Sequence, residues 1–252
     1  MDIEMNFGKR KTMDKIIFLN EDAANLSLPD ESVDLILTGP PYFGVDPFRY
    51  GGDHTKQINY VENEKQYVEK LIEATKEFKR ILKKNGSLII NLNFPITYRY
   101  YVEVVDNEIL KYGSTFLWDY SDEEKLPNTE KFFQTHQTWL HFYKGDTFHE
   151  NPFGVKKHSG SVLRVKFNNA HTEKEQELGK HGFILDAYSI DIAEHFIKTY
   201  SAPKSVVMDP FGGSGVAAVT AYMNDRIGIT NDISPESVEL AKKRFEIYTK
   251  SD

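Results

Sequence analysis

The residues best suited to chemistry form a glycine-rich turn, in which Gly212, Gly213 and Gly215 follow an apolar run that ends in Asp209. The run predicts a buried strand, and the apolar residues from Val216 predict a helix. Glycines let the backbone come close to a ligand, and the start of a helix offers free N–H groups. The pattern therefore predicts a nucleotide-type site at the carboxyl edge of a parallel sheet, and an ordinary strand-to-helix turn is the simpler alternative.

Two familiar phosphate sites do not match this turn. It lacks the Gly-Lys-Ser/Thr ending of a phosphate-binding loop, and it departs from the G-x-G-x-x-G dinucleotide fingerprint. Pyrophosphate is therefore not the expected ligand. Asp232 follows the next predicted strand, where its carboxylate is placed either to accept hydrogen bonds from ribose hydroxyls or to cap the last helix.

A second block, Thr38-Gly39-Pro40-Pro41-Tyr42, stands at the end of another predicted strand. Two successive prolines fix φ and lack N–H donors, so the neighbouring carbonyls need not take part in a strand ladder. By itself, this block is better explained as a proline-terminated strand with a core tyrosine.

The elements that must position these blocks alternate between strand and helix. Because the strands are almost continuously apolar, the alternation predicts a mostly parallel, twisted sheet with helices on both faces. The predicted strands are Ile16–Leu19, Val33–Thr38, Ser87–Leu92, Phe116–Trp118, Thr138–Tyr143, Ser205–Asp209 and Arg226–Thr230, and the predicted helices are Glu64–Lys84, stopped by Asn85-Gly86, then Ile190–Tyr200, Val216–Met223 and Pro235–Tyr248. Ser121–Lys131 and Gly145–Lys180 are predicted to be polar and irregular.

Composition excludes several classes of function. The 31 Lys and Arg against 38 Asp and Glu give a net charge of −7, so any nucleic-acid contact must be a local patch. The absence of Cys excludes thiolate metal sites, and the eight histidines show no ligand spacing, so no metal is expected. No apolar stretch approaches the ~18 residues of a membrane span, so we expect a cytoplasmic protein with no membrane partner. The 252 residues suggest one α/β domain with a small target-recognition insertion roughly within 119–180.

Taken together, the two blocks resemble the S-adenosylmethionine-dependent DNA amino-methyltransferases. Because the Pro-Pro block precedes the glycine-rich block, the chain resembles their circularly permuted group, and the resemblance implies a Rossmann-like methyltransferase fold that uses S-adenosyl-L-methionine. Enzymes that methylate protein glutamine or ribosomal RNA carry the blocks in the reverse order. The cofactor residues that the resemblance implies are Asp22 at the adenine amine, Asp232 at the ribose, His181 at the methionine end, and Ala23, Thr38, Pro40, Asp209, Pro210, Phe211, Gly212, Gly213, Ser214, Gly215 and Ile233.

The implied catalytic residues are Thr38, Gly39, Pro40, Pro41 and Tyr42. Carbonyl groups would accept the protons of an exocyclic amine while Tyr42 stacks on a base flipped out of the duplex. Gly39 departs from the family, whose members place Asp, Asn or Ser before the prolines. Either the carbonyls and Thr38 suffice, or the enzyme is slow, or the chain is an inactive or altered form.

The favoured prediction is a DNA methyltransferase that prefers N4 of cytosine over N6 of adenine, because Thr-Ser-Pro-Pro-Tyr is the nearest family pattern. The alternatives are a catalytically weak DNA-binding or cofactor-binding relative and an RNA amino-methyltransferase. The expected partner is double-stranded DNA. A homodimer and a cognate restriction endonuclease are left open as further partners.

Overall fold

Eight strands form one sheet in this computed structural model, which describes residues 16–46, 52–119, 135–151, 160–165, 173–181 and 188–250. The strands are β1 (Ile16–Leu19), β2 (Val33–Thr38), β3 (Leu82–Leu92), β4 (Lys111–Asp119), β5 (His136–Tyr143), β6 (Val162–Arg164), β7 (Val206–Asp209) and β8 (Ile227–Asn231). Their order across the sheet is β1-β8-β7-β2-β3-β5-β4-β6. The first five are mutually parallel, β5 is antiparallel to both β3 and β4, and β6 is parallel to β4.

Helices cover both faces of this sheet. They are α1 (Glu64–Ile81), α2 (Ile96–Asp106), α3 (Glu173–Gly179), α4 (Ile190–Tyr200), α5 (Val216–Met223) and α6 (Pro235–Thr249). Successive residues of β2 point to opposite faces: Ile36 joins the core built on α1 and α2, whereas Leu35 and Leu37 join the core built on α4 and α5. The predicted fold class is therefore confirmed.

The connections that follow the neighbouring strands β7 and β2 run toward opposite edges of the sheet. From β7 the chain passes through α5 to β8 on one side, and from β2 it passes through α1 to β3 on the other. In open α/β sheets such a divergence creates a crevice outside the carboxyl ends of the two strands, and ligands bind there. Both sequence blocks follow these two strands.

The structure corrects several details of the predicted elements, among them β4, which covers Lys111–Asp119 rather than Phe116–Trp118. Helix α1 ends at Ile81 rather than Lys84, because Leu82 has extended backbone angles and begins β3. Asn85-Gly86 is therefore not a helix stop but part of β3, at a shift in its register with β2. Gly145–Lys180, predicted to be irregular, contains β6 and α3, and α2 was not predicted at all. Ser121–Lys131 lies outside the described residues.

No helix within the described ranges combines the length and the apolar character needed to cross a membrane.

Candidate active site

A buried hydrogen bond joins the two sequence blocks. The Thr38 hydroxyl at the end of β2 donates to Oδ1 of Asp209 at the end of β7, over 2.6 Å. Both side chains are buried, so the Thr38 hydroxyl serves the contact between the strands rather than the open edge. The bond holds the Pro-Pro-Tyr loop and the glycine-rich turn at a fixed separation.

Asp209 is a carboxylate surrounded by donors. Besides Thr38, it accepts from the Tyr188 hydroxyl at 2.9 Å and from the Phe211 N–H at 3.0 Å. Burial raises the pKa of Asp209 to about 6, an effect that these three hydrogen bonds oppose. Burial, together with the neighbouring Asp209 charge, also raises the pKa of Tyr188 well above its ordinary value. Asp209 therefore stabilises the start of the glycine-rich turn through its hydrogen bond with the Phe211 N–H.

The glycine-rich turn requires glycine for two different reasons. A Cβ on Gly212 would lie 1.9 Å from Oγ1 of Thr230, so no side chain fits between the turn and β8. Gly213 and Gly215 have φ values of +49° and +80°, which disfavour other residues. Nothing lies within 4 Å of a Cβ built on Gly213, so a ligand can approach the backbone there.

Buried charges brace this turn from α6. The Arg244 guanidinium donates through Nε to the Ser214 carbonyl at 2.7 Å and through Nη2 to its hydroxyl at 3.1 Å. Its other side forms a buried ion pair with Glu175 of α3, which also accepts from the Tyr248 hydroxyl. The turn is thus linked to the segment in which we expect the recognition insertion.

Asp232 lies beside the turn and already holds backbone donors. Its Oδ2 accepts from the Gly213 N–H and its Oδ1 from the Ser234 N–H, both at 2.9 Å. Burial raises its pKa, and the two backbone hydrogen bonds oppose that rise. Each carboxylate oxygen can accept more than one hydrogen bond, so Asp232 can also receive ligand hydroxyls. Ser234, not Asp232, caps α6.

One cavity at this edge brings together residues from both blocks and from the loop after β1. Of the residues singled out in the sequence, those that line it are Asp22, Ala23, Pro41, Pro210, Phe211, Asp232 and Ile233. Asp22 also accepts from the Ala24 N–H at 2.9 Å, so it caps its loop and faces the cavity at once. The remaining lining residues are Glu21, Ala24, Lys56, Gln57, Ile58, Lys70, Glu73 and Ala74. The cavity therefore joins four carboxylates and two lysines to an aromatic ring and aliphatic side chains.

The other candidate residues do not line the cavity. Thr38, Gly39, Pro40, Tyr42, Asp209 and Gly212–Gly215 lie in the loops and strand ends around it. His181 lies just beyond α3, where its exposed imidazole is 3.6 Å from a carboxylate oxygen of Glu177. The structure therefore does not bring His181 to the cavity.

Side chains that the sequence did not single out hold the Pro-Pro-Tyr loop. The Tyr67 hydroxyl of α1 donates to the Pro41 carbonyl at 2.7 Å. The Asn59 amide donates to the Tyr42 carbonyl at 3.1 Å. The Asn93 amide donates to the Phe43 carbonyl at 3.3 Å. Three successive carbonyls of the loop are therefore committed to the protein.

The two preceding carbonyls, those of Gly39 and Pro40, accept no hydrogen bond from the described part of the chain. Gly39 is half-buried and Pro40 is buried, so these carbonyls belong to the wall of the loop and have no partner within the described ranges. The Tyr42 hydroxyl donates to Oδ1 of Asn91, which fixes the tilt of the half-buried Tyr42 ring. The Asn91 amide in turn donates to the Thr138 carbonyl at 2.9 Å.

Asn231 is a further residue whose role was not recognised in the sequence. Its fully buried amide donates to the carbonyls of Glu21 and Pro210, both at 3.0 Å, and its oxygen accepts from the Glu21 N–H. It therefore joins the loop after β1 to the glycine-rich turn. Its position directly before Asp232 was the one available signal.

Comparison with known proteins agrees with this geometry. A model of a family described as DNA methylase, covering N6 and N4 methyltransferases, matches residues 33–243. The type II methyltransferase M.HinfI of Haemophilus influenzae is 26% identical over 239 residues, which are 87% of this chain and 64% of that protein. The chain thus spans a little under two thirds of that relative.

Two solved structures resemble the fold. The PvuII DNA methyltransferase, which is cytosine-N4-specific, has a TM-score of 0.76 at 19% identity, covering 93% of this chain and 91% of its own. A protein of Thermus thermophilus, solved with S-adenosyl-L-methionine, has a TM-score of 0.66 at 17% identity, covering 94% and 97% of the two chains. At these identities the likeness concerns the fold alone.

Proposed function

We propose that this chain, which belongs to the DNA methylase family, transfers a methyl group from S-adenosyl-L-methionine to double-stranded DNA. The acceptor is an exocyclic base amine, and N4 of cytosine is the preferred target. The observation that carries the proposal is the cavity, because it joins residues of the glycine-rich turn, the loop after β1 and the Pro-Pro-Tyr loop. In this proposal, a cofactor held there lies next to the loop whose carbonyls bind the amine.

The cavity fits the chemistry of S-adenosyl-L-methionine. Asp232 accepts hydrogen bonds from ribose hydroxyls, and Asp22 accepts from the adenine amine. Phe211 and Ile233 supply apolar contacts, and the open space above Gly213 lets the backbone approach. When bound, this cofactor would supply an electrophilic methyl group in line with the amine nitrogen, and its sulfur would keep the electron pair of the broken S–C bond and leave as a neutral thioether.

The Pro-Pro-Tyr loop acts on the amine. An exocyclic amine is a poor nucleophile, because its lone pair is delocalised into the ring. The carbonyls of Gly39 and Pro40 accept hydrogen bonds from the amine protons, and this favours the pyramidal nitrogen that attacks. As the N–C bond forms, the nitrogen gains positive charge, which the same carbonyls stabilise until the surplus proton leaves to solvent. Tyr42 stacks on the extruded base.

The preference for N4 of cytosine rests on the sequence of the loop. Its nearest family pattern, Thr-Ser-Pro-Pro-Tyr, is associated with N4-cytosine enzymes. The family includes N6 enzymes as well as N4 enzymes. N6 of adenine is therefore the alternative target.

Mass spectrometry of genomic DNA tests the proposal directly. The chain is expressed in a host without endogenous base methylation, and nucleosides are compared with those from hosts that express the Tyr42→Ala variant. We expect N4-methylcytosine in the first sample and little in the second. N6-methyladenine instead would change the target base, and the appearance of methylated bases only in RNA would overturn the assignment to DNA.

A second candidate function rests on Gly39. Because position 39 carries no side-chain acceptor and the Thr38 hydroxyl is committed to Asp209, the chain could bind cofactor and DNA with little catalysis. The absence of modified bases in DNA and RNA alike, together with calorimetric binding of S-adenosyl-L-methionine, would favour this function.

A homodimer and a cognate restriction endonuclease stay predictions. Sedimentation of the purified protein tests the first.

A further inference from the structure

Phe94 is an exposed aromatic residue on a rigid turn. Its side chain is 77% exposed, the highest value among the large apolar side chains in the described ranges. It lies between β3 and α2, and the residues on either side of the turn, Leu92 and Ile96, are buried. The exposure therefore belongs to one residue of a well-anchored segment.

Three hydrogen bonds fix this turn. The Thr97 hydroxyl donates to the Leu92 carbonyl at 2.8 Å, and the Thr97 N–H donates to the Asn93 carbonyl at 3.1 Å. The Asn93 amide donates to the carbonyl of Phe43, the residue that follows Tyr42. Phe94 is consequently held at a set position relative to the Pro-Pro-Tyr loop.

The turn lies at the edge of the sheet where the target base must arrive. It follows the carboxyl end of β3, which pairs with β2, and the Pro-Pro-Tyr loop follows the carboxyl end of β2. Phe94 does not line the cofactor cavity. Its exposed ring therefore lies at the same edge of the sheet as the Pro-Pro-Tyr loop but outside the cofactor cavity.

We propose that Phe94 inserts into the DNA stack at the place that the target base leaves. The inference rests on the proposed function, since it requires a base to be flipped out of a duplex. Extrusion removes two stacking contacts from the neighbouring bases, and an apolar wedge inserted between base steps replaces part of that contact. A rigid aromatic side chain loses little conformational freedom when it does so.

Phe94 and Tyr42 would contact different bases. Tyr42 is half-buried and its hydroxyl is bonded to Asn91, so its ring is held within the loop, where the proposed function has it stack on the extruded base. Phe94 is outside that loop and meets the bases that stay in the duplex. Its effect should therefore depend on whether the target base must be pulled out of a paired stack.

Single-turnover methylation on two duplexes tests this role. Both carry the recognition sequence identified by sequencing modified host DNA, and in the second an abasic site stands opposite the target base. We expect Phe94→Ala to slow methylation of the paired duplex by about tenfold, the usual scale for loss of one base–aromatic stack. On the second duplex the loss should be within about threefold, because less stacking and pairing must be broken.

Matched variants complete the test. Met223→Ala removes an exposed apolar side chain from the end of α5, far from the catalytic edge, and should leave both rates unchanged. Phe94→Trp should retain the paired-duplex rate, and cofactor affinity should stay within twofold in every variant. An equal loss on both duplexes, or no loss on either, would overturn the wedge. If the unaltered protein methylates neither duplex, the proposed function itself fails.

Discussion

Gly39→Ser should raise the rate of methyl transfer. In the proposed function, the Pro-Pro-Tyr loop offers the target amine two main-chain carbonyls, and Gly39 supplies no side-chain acceptor. A Cβ built there would lie 3.8 Å from Cβ of Asn91 and 3.8 Å from Cδ1 of Tyr188, both ordinary contacts, and φ is not left-handed. The Cβ of a serine therefore fits without moving its neighbours.

The expected gain follows from one added hydrogen bond. An oxygen that accepts from the amine as positive charge develops stabilises the transition state by about 1.4 kcal/mol, which corresponds to roughly tenfold in rate. The rate is measured under single-turnover conditions with saturating cofactor on a cognate duplex. Multiple turnover would be less informative, because product release is rate-limiting in many enzymes.

Gly39→Ala is the matched control, because it adds the same Cβ without the oxygen. If the serine variant binds cofactor and DNA as the unaltered protein does and is no faster than the alanine variant, the missing-acceptor argument is wrong. Thr38→Ala is not a useful companion, since loss of the Thr38 hydroxyl leaves Asp209 short of a donor and disturbs the fold.

Three further outcomes follow from the contacts at the site. Tyr67→Phe removes the donor to the Pro41 carbonyl and should lower the methylation rate while the free energy of unfolding falls by only about 1 kcal/mol, as kinetics and denaturant titration would show. Asp232→Asn should weaken calorimetric binding of S-adenosyl-L-methionine by about 1–3 kcal/mol through loss of charge-assisted hydrogen bonds, and unchanged affinity would contradict the ribose assignment. Burial raises the pKa of Asp209 from 3.8 to about 6, so the folded state binds this proton more tightly than the unfolded chain does. The contribution of protonated Asp209 to the free energy of unfolding is therefore lost as the pH rises from about 4 to 6. Asp209→Asn lacks this dependence, so the difference in unfolding free energy between it and the unaltered protein should change across that pH range and level off above it.

The parts of the fold that were predictable from the sequence are those in which local pattern and burial agree. The predicted bounds are confirmed for Ile16–Leu19, Val33–Thr38 and Ile190–Tyr200. In these elements the apolar residues recur at the positions that face the core. The end of α1 was not predictable, since Leu82 is equally apolar in a helix and in a strand, and pairing with β2 decides between them.

The candidate site divides in the same way. The glycine-rich turn can be recognised in the sequence because its positive φ values favour glycine. Tyr67, Asn59 and Asn93 give no such signal: each donates to a carbonyl at least 17 positions away along the chain, and single polar residues in a helix or loop have no spacing that reveals a distant acceptor. Residues that support a site from neighbouring elements therefore form no local sequence pattern from which they could be predicted.

The hydrogen bond between Thr38 and Asp209 also determines when a newly made molecule can work. Its partners lie 171 positions apart in the chain, and β1 pairs with β8, whose residues lie still farther away in the sequence. During synthesis β1 and β2 leave the ribosome long before β7 and β8 exist to pair with them, so the cofactor cavity has only one of its walls. Until then the apolar strands are exposed and depend on protection from aggregation. The two blocks of a growing chain consequently come together only after the late strands have inserted between the early ones.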